Sequence, residues 1–248
     1  MIVKKRHLSA FSLIEIAIVL IILGLILGLT IPMAVSSQKV SQQKITQTHQ
    51  EQIIQSLAAY VLQYSKFPGA ASQADGKISP CHQGDVCFGY VPYKELGLPE
   101  SVAKDGFGRW FSYAVHSALT RTGGVTDPTT EKLCRITKRA IRVRSTHNQD
   151  DLSASTTDPV AIVLISHGDD GGGALLDSGE RLPASGYEAI NSQNSSDFYE
   201  GQSHENAHHV FWITRNNFMA IYAKTPCMPD INIGKGYSNS QRQTEGRL

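Results

Sequence analysis

Charge is scarce in this chain and evenly divided: 23 lysines and arginines face 22 aspartates and glutamates over 248 residues, for a formal net charge of +1. No concentrated basic face is available, which argues against nucleic acid as a ligand. The one basic stretch, Lys132 to Arg144, alternates Ile136, Ala140, Ile141 and Val143 with Arg135, Lys138, Arg139, Arg142 and Arg144, the pattern of an element with one solvated face. Cysteine is absent from the first eighty residues, and no C-x-x-C pair occurs anywhere. That removes a redox motif and the paired knuckles of a zinc ribbon. No G-x-S-x-G elbow is present, and the glycines at 168, 171, 172 and 173 have neither the spacing nor the following lysine of a phosphate cradle. Glycine and proline are both missing from Ser36 to Gln52.

The most conspicuous shortage is local. From Phe11 to Ile31 (FSLIEIAIVLIILGLILGLTI) the only charge is Glu15, near the start of the run. As a helix this stretch is about 30 Å long, enough to cross a bilayer. Lys4, Lys5, Arg6 and His7 precede it, as in the basic region of a secretory signal. The apolar run is longer than an ordinary signal core and ends in Thr30-Ile31-Pro32-Met33 without a small-x-small cleavage site, so it reads as a signal anchor with the following chain exported. Glu15 is then a functional residue waiting for a positive partner, or else an interfacial group that helps cap the helix start. Gly24 and Gly28 form a GxxxG pair, a weak sign of close helix contact.

Ala10-Phe11-Ser12-Leu13-Ile14-Glu15 behind a basic leader resembles the cleavage and methylation signal of type IV prepilins and of type II secretion pseudopilins. The resemblance implies cleavage between Ala10 and Phe11 by a prepilin peptidase, which also methylates the new Phe11 amine. It implies that Glu15 pairs with the terminal amine of a neighbouring subunit during assembly. Pro32 falls where pilins often carry a helix-bending proline. Ala10 departs from the family, whose residue before the cut is usually glycine. Asp105-Gly106-Phe107-Gly108 with Tyr113 is similar to an aspartate-led segment of the major pseudopilins, near which some relatives bind calcium; here Asp105 is the only carboxylate between Lys104 and His116.

Beyond the apolar run, Ile53, Ile54, Leu57, Ala58, Val61 and Leu62 recur at helical spacing. One helix from Phe11 to about Ser65 is expected, bent or loosened at Pro32. Phe67-Pro68-Gly69 ends it. Trp110 to Val115 and Val160 to Ile165 read as strands, the second apolar throughout and so central in a sheet. Val210 to Thr214 and Phe218 to Tyr222 read as a β-hairpin around Arg215-Asn216-Asn217. Asp177 to Asn206 reads as one long polar excursion. Four cysteines in an exported domain give two disulfides and three possible pairings. The short loop between Cys81 and Cys87 favours a local bridge, leaving Cys134 to pair with Cys227.

The expected organisation is a leader over 1–10, the transmembrane half of the helix over 11–33, its amphipathic half over 34–65, and an exported antiparallel-sheet domain over 66–248. The fold class is α+β and pilin-like. The expected function is a structural subunit, a minor pilin or pseudopilin, of a type IV pilus or type II secretion filament; the N-terminal motif does not choose between them. Other pilins and an inner-membrane assembly platform are the implied partners, and the chain would start as a single-pass inner-membrane protein with a periplasmic domain. The alternative is a monomeric tethered binding protein or adhesin. No enzyme activity and no cofactor are expected, although His167, His204, His208 and His209 with Asp169, Asp170 and Glu205 could hold a divalent metal if folding gathers them.

Overall fold

The computed structural model describes residues 12–81, 84–121, 131–136, 138–155, 157–193, 195–201 and 208–227, with the side chains of 26–36 left aside. It begins with α1 (Leu13–Tyr64), a single helix of 52 residues, about 78 Å long at 1.5 Å per residue. The helix runs through position 32 without a break. It ends at Ser65, which takes the left-handed conformation with φ 53° and donates its N–H to the Val61 carbonyl.

The expected spacing docks the C-terminal half of this helix. Ile53, Ile54, Leu57, Ala58 and Val61 are buried, whereas Leu62 lies half exposed on the flank. They rest on a four-stranded antiparallel sheet of order β1-β2-β4-β6, made of β1 (Val86–Tyr90), β2 (Ser112–His116), β4 (Val160–Ser166) and β6 (His209–Thr214). β4 is central and buried at every position. Its residues divide between two cores. Ala161, Ile162 and Leu164 join Tyr113, Val115 and the helix, and Val160, Val163 and Ile165 join Ala114, Ile141, Val143 and Phe198 on the opposite face. A register shift between Val160 and Ile162 lets Ala161 and Ile162 both face the helix.

The second face is covered by a two-stranded parallel pair, β3 (Arg142–Ser145) with β5 (Asp197–Glu200). Three layers result: helix, sheet, and parallel pair. Short helices α2 (Glu131–Cys134) and α3 (Gly186–Asn191) sit in the connections. The Asp177–Asn206 excursion therefore contains both α3 and β5.

Two expectations are corrected. The fold is α+β with an antiparallel sheet, but among the described residues no helix is long and apolar enough to cross a membrane. The transmembrane assignment of 11–33 is withdrawn. The expected second strand of the hairpin is α4 (Arg215–Ile221), a helix. Thr214 caps it by accepting the Asn217 N–H, and Phe218 and Met219 turn into the core beside Phe67. A five-residue apolar run is too short for periodicity to separate strand from helix.

Disulfides join Cys81 to Cys87 and Cys134 to Cys227, with Cα–Cα separations of 5.6 and 5.4 Å. The second ties α2 to the residues after α4 across 93 positions, the first across only 6. Loop-closure entropy assigns about 4–5 kcal/mol to the long bridge and about 2 kcal/mol to the short one. Urea unfolding of Cys134→Ala/Cys227→Ala beside Cys81→Ala/Cys87→Ala is expected to show the larger loss in the former; equal losses would contradict this ordering.

Candidate functional site

Among the described residues, none packs closely around the first quarter of α1. Leu13, Ile14, Ile16, Ile18, Val19, Leu20, Ile21, Ile22, Leu23 and Leu25 are each about half exposed or more, up to 88% for Leu13. Successive positions at 100° intervals cover the whole circumference, so this is an apolar rod rather than an amphipathic helix. Soluble monomers rarely expose so large a contiguous apolar surface. Glu15 lies in the first turn, where the helix dipole favours a carboxylate. Ala10, Phe11 and the leader lie outside the described residues.

The rod is held by a grip farther along the same helix. Gly106 N–H donates to Thr46 Oγ at 2.9 Å, and Thr46 Oγ donates in turn to the Gln42 carbonyl at 2.9 Å. His49 Nδ1–H donates to the Lys104 carbonyl at 2.7 Å. Lys39 meets Asp169 at 2.5 Å on the exposed side. Gly106 has to be glycine at this approach, because a Cβ there would stand 1.9 Å from the Gln42 carbonyl oxygen.

Asp105 organises that grip. It is 4% exposed, and its two oxygens accept three hydrogen bonds: Oδ1 from Phe107 N–H (3.0 Å) and Arg109 N–H (2.9 Å), Oδ2 from Ser166 Oγ (2.6 Å). The turn is closed by Asp105 N–H donating to the Arg109 carbonyl at 2.7 Å. Burial pushes this carboxyl above the usual range, opposed by the Ser166 hydroxyl and the two amides. With both oxygens engaged by protein donors, Asp105 is not presented to a cation, and the turn serves to seat the helix.

Behind Ser166 lies a second buried polar group. Among the histidines singled out as metal candidates, folding brings His167 and His208 together from 41 residues apart, in a T-shaped contact with ring centroids at 4.6 Å. His167 Nδ1 lies 3.0 Å from the Gly172 carbonyl and 3.2 Å from His208 Nε2, while His208 Nε2 lies 2.8 Å from the same carbonyl. A carbonyl only accepts, so His208 Nε2 carries its proton and the neutral ring keeps Nδ1 as a bare acceptor. Ser112 Oγ lies 2.8 Å from His167 Nε2, a distance suited to a nucleophile and its base. The pair is sealed, however: Ser112 and His167 are both 0% exposed, and no carboxylate orients the far nitrogen. The arrangement fastens the loop after β4 to β2 and β6.

His209 opens β6 and Asp170 accepts the Gly172 N–H, while His204 and Glu205 lie outside the described residues. Among the described residues no group of three histidine, cysteine, aspartate or glutamate side chains gathers to hold a metal. Sequence reading missed the roles of Thr46, Gly106 and Ser166. The Asp105-Gly106 turn was the one signal pointing there, and its contact with α1 lies 60 residues away. Comparison with models of known protein families, with curated proteins and with solved structures finds no match to this chain.

Two predictions follow from the geometry. Gly106→Ala forces its methyl into the backbone of α1 and is expected to cost about 2 kcal/mol or more. Gly108→Ala, whose Cβ meets nothing within 4 Å although φ is +79°, costs only about 1 kcal/mol of backbone strain. Thermal unfolding compares them; a Gly108 variant as damaged as the Gly106 one would refute the helix contact.

Acid provides the other test. Burial holds His116, His167 and His208 below the usual histidine range, His167 down to about 3 with His208 adding to the effect. Each ring binds its proton more weakly folded than unfolded, so stability is complete above about pH 6.5 and falls as pH drops below it. His167 alone removes about 1.4 kcal/mol between pH 7.5 and 5.5. Asp105, raised by burial, works in the opposite direction in stronger acid. Urea unfolding at the two pH values should show the loss in the wild type and a shallower one in His167→Gln; identical slopes would remove His167 from the account.

Proposed function

We propose that this chain is a structural subunit of an extracytoplasmic filament of the type IV pilus or type II secretion class, and a minor rather than an abundant one. One observation carries the reading: the apolar first quarter of α1 stands clear of the domain that grips the rest of the helix. An apolar rod of this kind is completed by neighbours of the same kind, helix against helix. The leader charges and the Ala10-Phe11-Ser12-Leu13-Ile14-Glu15 segment support the same reading through their resemblance to a prepilin signal. The two disulfides fit an oxidising compartment.

Within such a filament the freed Phe11 amine of one subunit and the Glu15 carboxylate of its neighbour meet among apolar helices. Either charge alone is costly there, and pairing offsets both desolvation terms. The pair sets axial register more than it adds net stability. A prepilin peptidase prepares the amine, and an assembly platform delivers the subunit. The long connection from β4 to α3, residues 167–185, exposed at 177–180, suits a specialised subunit that carries its own recognition surface.

Co-expression with a prepilin peptidase should shorten the chain by the ten leader residues and leave N-methyl-Phe11, read by mass spectrometry of the N-terminus. Glu15→Gln keeps the side-chain shape and removes the charge. It should leave the domain and both disulfides intact and reduce recovery in sheared filaments at least about tenfold, a loss in the range for breaking one partner of a desolvated pair. Normal recovery of the variant, or a mature N-terminus elsewhere, would favour a monomeric binding protein.

A further inference from the structure

At the seam between α1 and β6 lies a cavity of about 530 Å³, open on one side, within the size range of small-molecule sites, roughly 300–1,000 Å³. Gln43, Gln47 and Gln50 line it from the helix, and Glu200, His208 and Phe211 from the sheet side. We propose that this cavity binds a neutral saccharide.

The helix side supplies an amide ladder. Positions 43, 47 and 50 fall on one face at helical spacing, and none of the three side-chain amides has a hydrogen-bonding partner among the described residues. Each offers two donors and an acceptor, the mixed complement that vicinal hydroxyls require. The sheet side supplies an acceptor and an apolar surface. Glu200 Oε2 already accepts Trp212 Nε1–H at 2.5 Å, which leaves its other oxygen for a ligand hydroxyl. Phe211 is partly exposed and offers a ring edge or face to the C–H side of a sugar.

His208 closes the inner end. Its Nε2 is turned inward on the Gly172 carbonyl, and its Nδ1 is a buried nitrogen with no partner among the described residues. A buried acceptor without a donor is an unmet cost of about 1–3 kcal/mol; His208 is 0% exposed, so a ligand O–H meets this nitrogen only when the ring turns toward the cavity.

Charge narrows the ligand class. No lysine or arginine is among the described lining residues, burial holds His208 neutral, and His209 is the one other imidazole there, so a phosphate, sulfate or sialate would enter beside the Glu200 carboxylate without a permanent counter-charge. An apolar ligand fares no better, since it would strip water from three amides and a carboxylate without replacing it. A neutral polyol with a C–H face satisfies each of these requirements. The inference stands independently of the filament reading, since it uses only the docked part of the helix.

The test is saturation-transfer NMR on the full chain with the methyl glycosides of glucose, galactose, mannose and N-acetylglucosamine, with maltose, and with sialyllactose as the anionic comparison. Transfer from at least one neutral sugar is expected. Gln43→Ala and Gln47→Ala, both at exposed positions that the domain core does not use, should each weaken it by about fivefold, the worth of one neutral hydrogen bond. Circular dichroism confirms that these variants fold. Absence of transfer from every neutral sugar, transfer from sialyllactose alone, or transfer that survives both substitutions would overturn the assignment.

Discussion

The carboxylate of Asp105 is the constraint on which the rest of the structure depends. Three chain segments meet there: the 105–109 turn through its own amides, the end of β4 through Ser166, and α1 through Gly106 and Thr46. Burying a carboxylate is unfavourable unless donors surround it. Here three donors do, and they fix the turn so tightly that Gly106 lies against the backbone of the helix. This close contact is one of several, from Lys39 to Val61, that fix how α1 lies on the domain.

Legibility in the sequence followed the range of the interactions. Val160 to Ile165 was readable as a central strand because burial on both faces demands an unbroken apolar run, and β4 has one. The docking face of α1 was readable from the spacing of Ile53, Ile54, Leu57, Ala58 and Val61, but the exposure of Leu62 depends on where the sheet stops, which no local pattern records. The strand β5 was invisible inside a polar excursion because Phe198 is its single apolar anchor, and its partner β3 lies more than fifty residues earlier. Phe218 to Tyr222 misled because the capping by Thr214 decides between helix and strand there. The N-terminal run suggested a membrane span, which no helix among the described residues is long and apolar enough to provide.

The histidines show the same limit in chemical form. Composition offered a metal site or a nucleophile with its base, and His167 does meet both Ser112 and His208. Accessibility decides otherwise. Rings excluded from water and held neutral act as hydrogen-bonding struts, and their chemistry is expressed as a dependence of stability on acid rather than as turnover. Only the tertiary fold, which closes the space around them, distinguishes the two outcomes.

The way α1 lies along the sheet has a mechanical consequence. Its contacts with the domain, from Lys39 on Asp169 through Gly106 on Gln42 to Ile53 through Val61 on the core, are strung out along the helix axis. Tension applied to the bare end therefore loads them in shear, all at once, instead of peeling them apart one by one. The Cys134–Cys227 bridge and the second core, on the far face of the sheet, lie beyond that line and carry no part of the load until the helix has moved. A molecule of this shape yields at its helix seam first.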